Sequence, residues 1–124
     1  GGKAPAIVFP DADIDSMAHA LTLGATYNTG QDCTAATRVY AQKDVYQDVV
    51  DSLAATMAGV KVGDPWATDT DIGPLISADH LDRVHGFVSR AHQAGATITA
   101  GGEPFTTNGN YYPPTLITNV KQES

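Results

Sequence analysis

Between Asp44 and Val60 apolar side chains recur at Tyr46, Val49, Val50, Leu53, Met57 and Val60, offsets of three and four that line one face of an α-helix. A strand-like run, Arg38-Val39-Tyr40-Ala41, comes just before it, and Asp44 stands where an N-cap is expected. The same alternation occurs upstream. Ala6-Ile7-Val8-Phe9, stopped by Pro10, reads as a buried strand, and Ile14, Met17, Ala18, Leu21 and Ala25 share one helical face behind Asp11 or Asp13 as cap. Tyr27-Asn28-Thr29-Gly30-Gln31 then has turn residues and no periodicity, which delivers Cys33 to a loop. Farther on, Gly59, Gly63 and Pro65 end the second helix and a polar loop follows to Pro74; Ser77 caps a third helix with Leu81, Val84, Val88 and Ala91 inward and Gly95 at its end. Short strands are expected at Thr97-Ile98-Thr99-Ala100 and Thr115-Leu116-Ile117. Strands alternating with helices predict an α/β fold, a mostly parallel sheet flanked by helices. At 124 residues the chain is long enough for one domain that buries roughly two-thirds of its unfolded surface.

Composition narrows the function. With 42% apolar and 17% charged residues the chain belongs with folded globular proteins rather than disordered ones. A net charge of −7 repels phosphate backbones and anionic headgroups, so neither nucleic acid nor membrane is an expected partner. No apolar stretch approaches the roughly 20 residues of a membrane span and no signal-like segment opens the chain, which points to the cytoplasm. The single cysteine excludes an internal disulfide. Gly1-Gly2 runs straight into a strand and Lys121-Gln122-Glu123-Ser124 closely follows another, the pattern expected of a piece of a longer chain.

Most motifs that carry chemistry fail on spacing. Gly1-Gly2-Lys3 lacks the other residues of a phosphate loop, and no GxGxxG opens a helix. Asp69, Asp71 and Gly73 lack the ligand order of a calcium loop and read as a solvated turn. His80, His85 and His92 are five and seven residues apart, not the four that two zinc ligands on one helix face require, so these and His19 read as surface histidines and no metal is expected.

Cys33 is the remaining candidate. A lone cysteine is more often a small core hydrophobe than a catalyst. Its neighbours argue otherwise: Gly30, Thr34 and Ala35 are small, a loop gives access, and backbone N–H groups there can stabilise a thiolate or an oxyanion. Asp32 by itself opposes the thiolate.

Gly30-Gln31-Asp32-Cys33-Thr34-Ala35 resembles the nucleophile loop of the aldehyde dehydrogenase superfamily, a Gly-Gln-x-Cys stretch. Gly1-Gly2-Lys3-Ala4-Pro5 is similar to the end of that family's ELGGKxP segment, and Asp11-Ala12-Asp13 to its acidic helix start. Val62-Gly63-Asp64-Pro65, Gly73-Pro74-Leu75-Ile76, Gly101-Gly102 and Tyr112-Pro113-Pro114-Thr115 resemble its later landmarks in order and spacing. The resemblance implies a partial catalytic domain over residues 1–124, with Cys33 as nucleophile and Gly30, Gln31 and Thr34 shaping its loop. The implied reaction is attack of the Cys33 thiolate on an aldehyde, hydride transfer from the thiohemiacetal to NAD(P)+, and hydrolysis of the thioester. The Cys33 N–H would hold the oxyanion together with an upstream Asn.

The same resemblance places the general base, two positions before the paired glycines, and the dinucleotide-binding domain outside these 124 residues, along with a downstream Glu that contacts the cofactor. This piece alone is therefore expected to bind no NAD or NADP tightly and to be inactive, while the full-length enzyme is expected to be a homo-oligomer acting on a small-molecule aldehyde. The GQDCTA spelling looks most like the aminobutyraldehyde and betaine aldehyde branch, in which Asp32 either steers a cation or braces the loop through local hydrogen bonds. Trp66 and Tyr27 are read as packing the VGDP loop and the helix end rather than lining an ammonium cage. The competing readings are a non-catalytic α/β domain with a structural thiol, and a cysteine hydrolase, which needs a histidine beside Cys33.

Overall fold

The computed structural model describes residues 2–123, so Gly1 of the glycine pair and Ser124 of the closing run lie outside the described residues. The chain divides into two compact units between Thr56 and Met57. No helix among the described residues is long and apolar enough to cross a membrane.

The first unit is a strand, helix, strand crossover: β1 (Ala4–Val8), α1 (Ile14–Thr26) and β2 (Ala36–Ala41). The two strands pair in parallel from Ala4 opposite Ala36 to Val8 opposite Ala41, as a helical connection permits. Their register slips between Ala4 and Pro5, where Arg38 rather than Thr37 faces Pro5. Proline brings no N–H to the ladder, and a bulge at that point absorbs the missing donor. The Asp13 Oδ1 accepts the Ser16 N–H at 3.0 Å and caps α1 as expected. That bond holds the Asp13 carboxyl below the usual carboxylate range. Helix α1 turns Ala18 and Thr22 inward and is broken by the 3-10 turn Tyr27–Gly30.

Helix α2 (Tyr46–Ala58) runs across the boundary and buries Val49, Val50, Leu53 and Met57 of the stripe read from periodicity, whereas Tyr46 is exposed and Val60 lies past the helix end. Its cap differs from expectation. Asp44 lies inside a preceding 3-10 turn, Lys43–Val45, and Gln42 occupies the cap position of that turn without a side-chain bond. A residue already wound into a turn cannot offer its carboxylate to the N–H groups that follow in the usual capping geometry.

In the second unit a loop carries one parallel bridge, Val62 to Ile72, before α3 (Ala78–Gln93), β3 (Thr97–Ala100) and β4 (Leu116–Thr118). Ser77 Oγ accepts the His80 N–H at 3.2 Å, which supplies the expected N-cap of α3. At the other end Gly95, at φ 94°, closes the helix with Gly95 N–H to His92 O and Ala96 N–H to Ala91 O, at 2.9 and 3.0 Å. This is the paired termination that a left-handed glycine allows. The parallel pairing expected of the sheet holds for β1 and β2, whereas β3 and β4 are antiparallel. Residues 101–115 contain no crossover helix, and the chain simply doubles back. Leu75, Val88 and Tyr112 form the buried centre, with Leu81, Val84, Ile98 and Ile117 packed around them.

The two aromatics read as packing elements are solvent-facing. Trp66 is 93% exposed and Tyr27 is also exposed. Trp66 sits in a tight turn whose bond runs from its own N–H to Asp64 Oδ1, at 2.9 Å, so the backbone and the carboxylate close this loop without the indole.

Candidate active site

Three left-handed residues deliver Cys33. Asn28 and Thr29 have φ of 51° and 57° and Gly30 has φ of 77°, which ends helical winding and turns the chain toward the loop. A Cβ on Gly30 would meet only ordinary contact, so glycine serves here for its dihedral angle rather than for space. Gln31 then ties the loop back to the turn: its Nε2 donates to Asn28 O at 3.2 Å, while Asn28 Nδ2 donates to Gln31 O at 3.3 Å.

On the other flank Asp32 Oδ1 accepts both the Thr34 N–H at 2.9 Å and the Thr34 hydroxyl at 2.8 Å, and Ala35 N–H reaches Asp32 O at 3.1 Å. The hydrogen bonds from Thr34 favour the charged carboxylate and hold Asp32 below its ordinary range. Gly30 through its backbone, and Gln31, Thr34 and the steering candidate Asp32 through their side chains, take part in local structure.

Cys33 is not committed. Its thiol is exposed, and no hydrogen bond from Cys33 is made to any of the described residues. A core thiol would be enclosed by hydrocarbon, so burial does not explain this cysteine. The arrangement is a hydrogen-bonded polar frame around one sulfur and one backbone N–H that make no hydrogen bond to the described residues. No histidine is bonded to Cys33 among the described residues; His19 uses its Nδ1 against Asp15 O at 2.9 Å.

The histidines divide differently from expectation. His19 and His92 are exposed, while His80 and His85 are half-buried. His85 Nδ1 lies 3.0 Å from Tyr112 Oη, and the Tyr112 hydroxyl donates to Gly102 O at 2.9 Å. A phenol has one proton, so the imidazole donates from Nδ1, and its Nε2 lies 3.3 Å from Ser89 Oγ. Tyr112 is 8% exposed, and burial, assisted by the charge of Glu103, pushes its hydroxyl up to about 12. No local spacing links residues 85, 102 and 112, which is why sequence reading passed over this network.

The later landmarks fold onto each other in the second unit. Gly102 N–H donates to Thr115 Oγ1 at 3.0 Å, and Thr115 Oγ1 donates to Pro113 O at 3.0 Å. A Cβ on Gly101 would overlap Pro114 O, and one on Gly102 would come within 2.5 Å of Ile98 Cγ2. In the VGDP loop Asp69 pairs with Lys61 Nζ at 3.1 Å and Asp71 accepts the Lys61 N–H at 2.8 Å. Both carboxylates thus serve one lysine, and no group of three metal-ligating side chains gathers among the described residues.

The aldehyde dehydrogenase family model matches residues 1–124. The lactaldehyde dehydrogenase of Escherichia coli strain K12 is 44% identical over 124 residues, 99% of this chain and 26% of that protein. The crystal structure of lactaldehyde dehydrogenase from Escherichia coli superimposes with a TM-score of 0.93 over the same shares of the two chains. The succinate-semialdehyde dehydrogenase [NADP(+)] 1 of Mycobacterium tuberculosis strain H37Rv is 42% identical over 123 residues, 99% of this chain and 27% of that protein. An aldehyde dehydrogenase from Bacillus cereus, solved as an NAD+ complex, gives a TM-score of 0.91 at 36% identity, over 98% of this chain and 25% of that one. The chain thus spans about a quarter of the length of the relatives it matches, and their names do not select one branch. Matched end to end in sequence, and superimposing over nearly its whole length at TM-scores above 0.9, the chain belongs to the aldehyde dehydrogenase family.

Proposed function

We propose that the protein carrying this chain oxidises an aldehyde to a carboxylate, with NAD or NADP as hydride acceptor and Cys33 as nucleophile. The observation that carries the reading is the contrast within the loop: Gln31, Asp32 and Thr34 spend their side chains on local hydrogen bonds, while the exposed Cys33 makes none to the described residues. The thiolate adds to the carbonyl carbon, the C–O π pair moves onto oxygen, and the Cys33 N–H donates to the resulting oxyanion.

The described residues do not fit a dinucleotide. Helix α1 starts with Asp13 at its cap and Asp15 in its first turn, and α3 has Asp79 in its first turn. These carboxylates stand where a pyrophosphate would need uncharged N–H groups. Oxidation of the adduct is therefore assigned to parts of the enzyme other than these helix ends, and the 124-residue piece by itself is expected to be inactive.

Asp32 acts as a brace. Its Oδ1 is already shared by two Thr34 donors, which supports a structural use of the charge over attraction of a cationic aldehyde. Asp32→Asn in the full-length enzyme is expected to change kcat/KM equally for 4-aminobutanal and butanal; a loss confined to the amine would show steering instead. The main reading is tested by following aldehyde-dependent NADH or NADPH formation while iodoacetamide titrates Cys33. Turnover is expected to fall in proportion to Cys33 alkylation, and full turnover after complete alkylation of Cys33 would overturn the assignment.

A further inference from the structure

The parallel pairing begins at Ala4 opposite Ala36, so residues 2–3 lead into β1 and residues 33–35 lead into β2 at the same end of the pair. A Cβ on Gly2 would lie 3.9 Å from Cys33 O, so the two segments are in ordinary van der Waals reach. The first segment is held in an uncommon conformation: Gly2 has φ of 81° and Lys3, which is not a glycine, has φ of 58°. Left-handed backbone at a lysine persists only where the surroundings hold it.

The group that holds it is Arg38. Its Nε donates to Lys3 O at 3.0 Å and its Nη1 donates to Tyr40 Oη at 2.9 Å. The bulge between Ala4 and Pro5 sets this reach, because it brings Arg38 rather than Thr37 opposite Pro5. A guanidinium is well suited to holding two points at once, since it is always charged and its planar fork donates in two fixed directions, whereas a lysine ammonium is a single mobile point.

We propose that Arg38 is a positioning residue for Cys33, a two-point clamp that holds the Gly2–Lys3 segment against the root of β2 and so fixes the place of the nucleophile loop beside it. The proposal rests on Cys33 acting as the nucleophile. A loop that wanders costs orientation rather than substrate affinity, and a misplacement of about 1 Å can lower a rate on the order of 100-fold.

The test uses the full-length enzyme with Arg38→Lys and Arg38→Gln, read out as kcat per alkylatable Cys33, KM, and hydrogen exchange of the peptide spanning residues 30–36. Both variants are expected to lose roughly 10- to 100-fold in kcat per titrated site with KM within about twofold, and to exchange faster at residues 30–36 than elsewhere. A purely structural role would lower the number of titratable sites and leave kcat per site unchanged, which would overturn the proposal. So would parental exchange at residues 30–36 in Arg38→Lys. Should Arg38→Gln fail to fold, Arg38→Lys and Tyr40→Phe, which removes one acceptor of the clamp, carry the same readouts. If the parent enzyme oxidises no aldehyde, the proposed function fails, and the exchange experiment still decides whether Arg38 holds the loop.

Discussion

The Cys33 loop of the first unit and the glycine pair of the second are both built from small residues near a turn, yet they use those residues oppositely. Around Cys33 the bonds are short in sequence, Asn28 with Gln31 and Asp32 with Thr34, and they leave the thiol exposed. Around Gly101 and Gly102 the bonds are long in sequence, Tyr112 to Gly102 and His85 to Tyr112, and they enclose the phenol. Gly30 is needed only for its dihedral angle, whereas Gly102 is needed for its angle and for the space that Ile98 fills. The same residue types thus leave a thiol exposed in one place and permit close packing in the other.

The largest effect that sharpens this contrast is chemical. Cys33→Ser in the full-length enzyme is expected to lower kcat by at least about 1000-fold, because a hydroxyl is a far weaker nucleophile at neutral pH than a thiolate, with the melting temperature unchanged. A variant that melted early would break the comparison by giving Cys33 a packing role. Next comes glycine. Gly102→Ala places a Cβ against Ile98 at φ 97° and is expected to cost about 3 kcal/mol in urea unfolding. Gly30→Ala meets only the left-handed backbone and is expected to cost about 1 kcal/mol. Equal costs would mean that the two glycines do the same job.

Tyr112→Phe removes the hydroxyl and leaves Gly102 O and His85 Nδ1 without their partner, an expected loss of about 1–2 kcal/mol. The parent should also show a pH signature that this variant lacks. The phenol titrates at 10.0 in an ordinary setting and at about 12 when folded, so the unfolded chain releases the proton first. The stabilisation is complete below pH 10 and is lost as pH rises toward 12. Thermal melts from about pH 9 to about pH 12 check it, and parallel curves for parent and variant would remove Tyr112 as the cause. Ser77→Ala is expected to cost as little as Gly30→Ala, about 1 kcal/mol for a lost N-cap of α3.

Local signals in the sequence were legible where local physics decides. The caps at Asp13 and Ser77 and the stop at Gly95 follow from contacts within a few residues, and the apolar stripe of α2 follows from spacing along one helix face. Asp44 shows the limit of the same rule, since a 3-10 turn one residue earlier displaced the cap. His85 and Trp66 show a second limit. A spacing argument made the histidine a surface group and a residue-type argument made the indole a packing group; a partner 27 residues away corrected the first, and the exposure of the side chain corrected the second.

Ordered motifs along the chain were enough to set its family, its strand and helix alternation and the loop that bears its one thiol, because each of these is written in side-chain type and short spacing. Three things came only from the folded chain: the antiparallel return of β4 onto β3, the phenol sealed between Gly102 and His85, and the reach of Arg38 to Lys3. Each joins atoms ten or more residues apart, and such contacts depend on where the backbone comes back to meet itself rather than on any neighbouring residue.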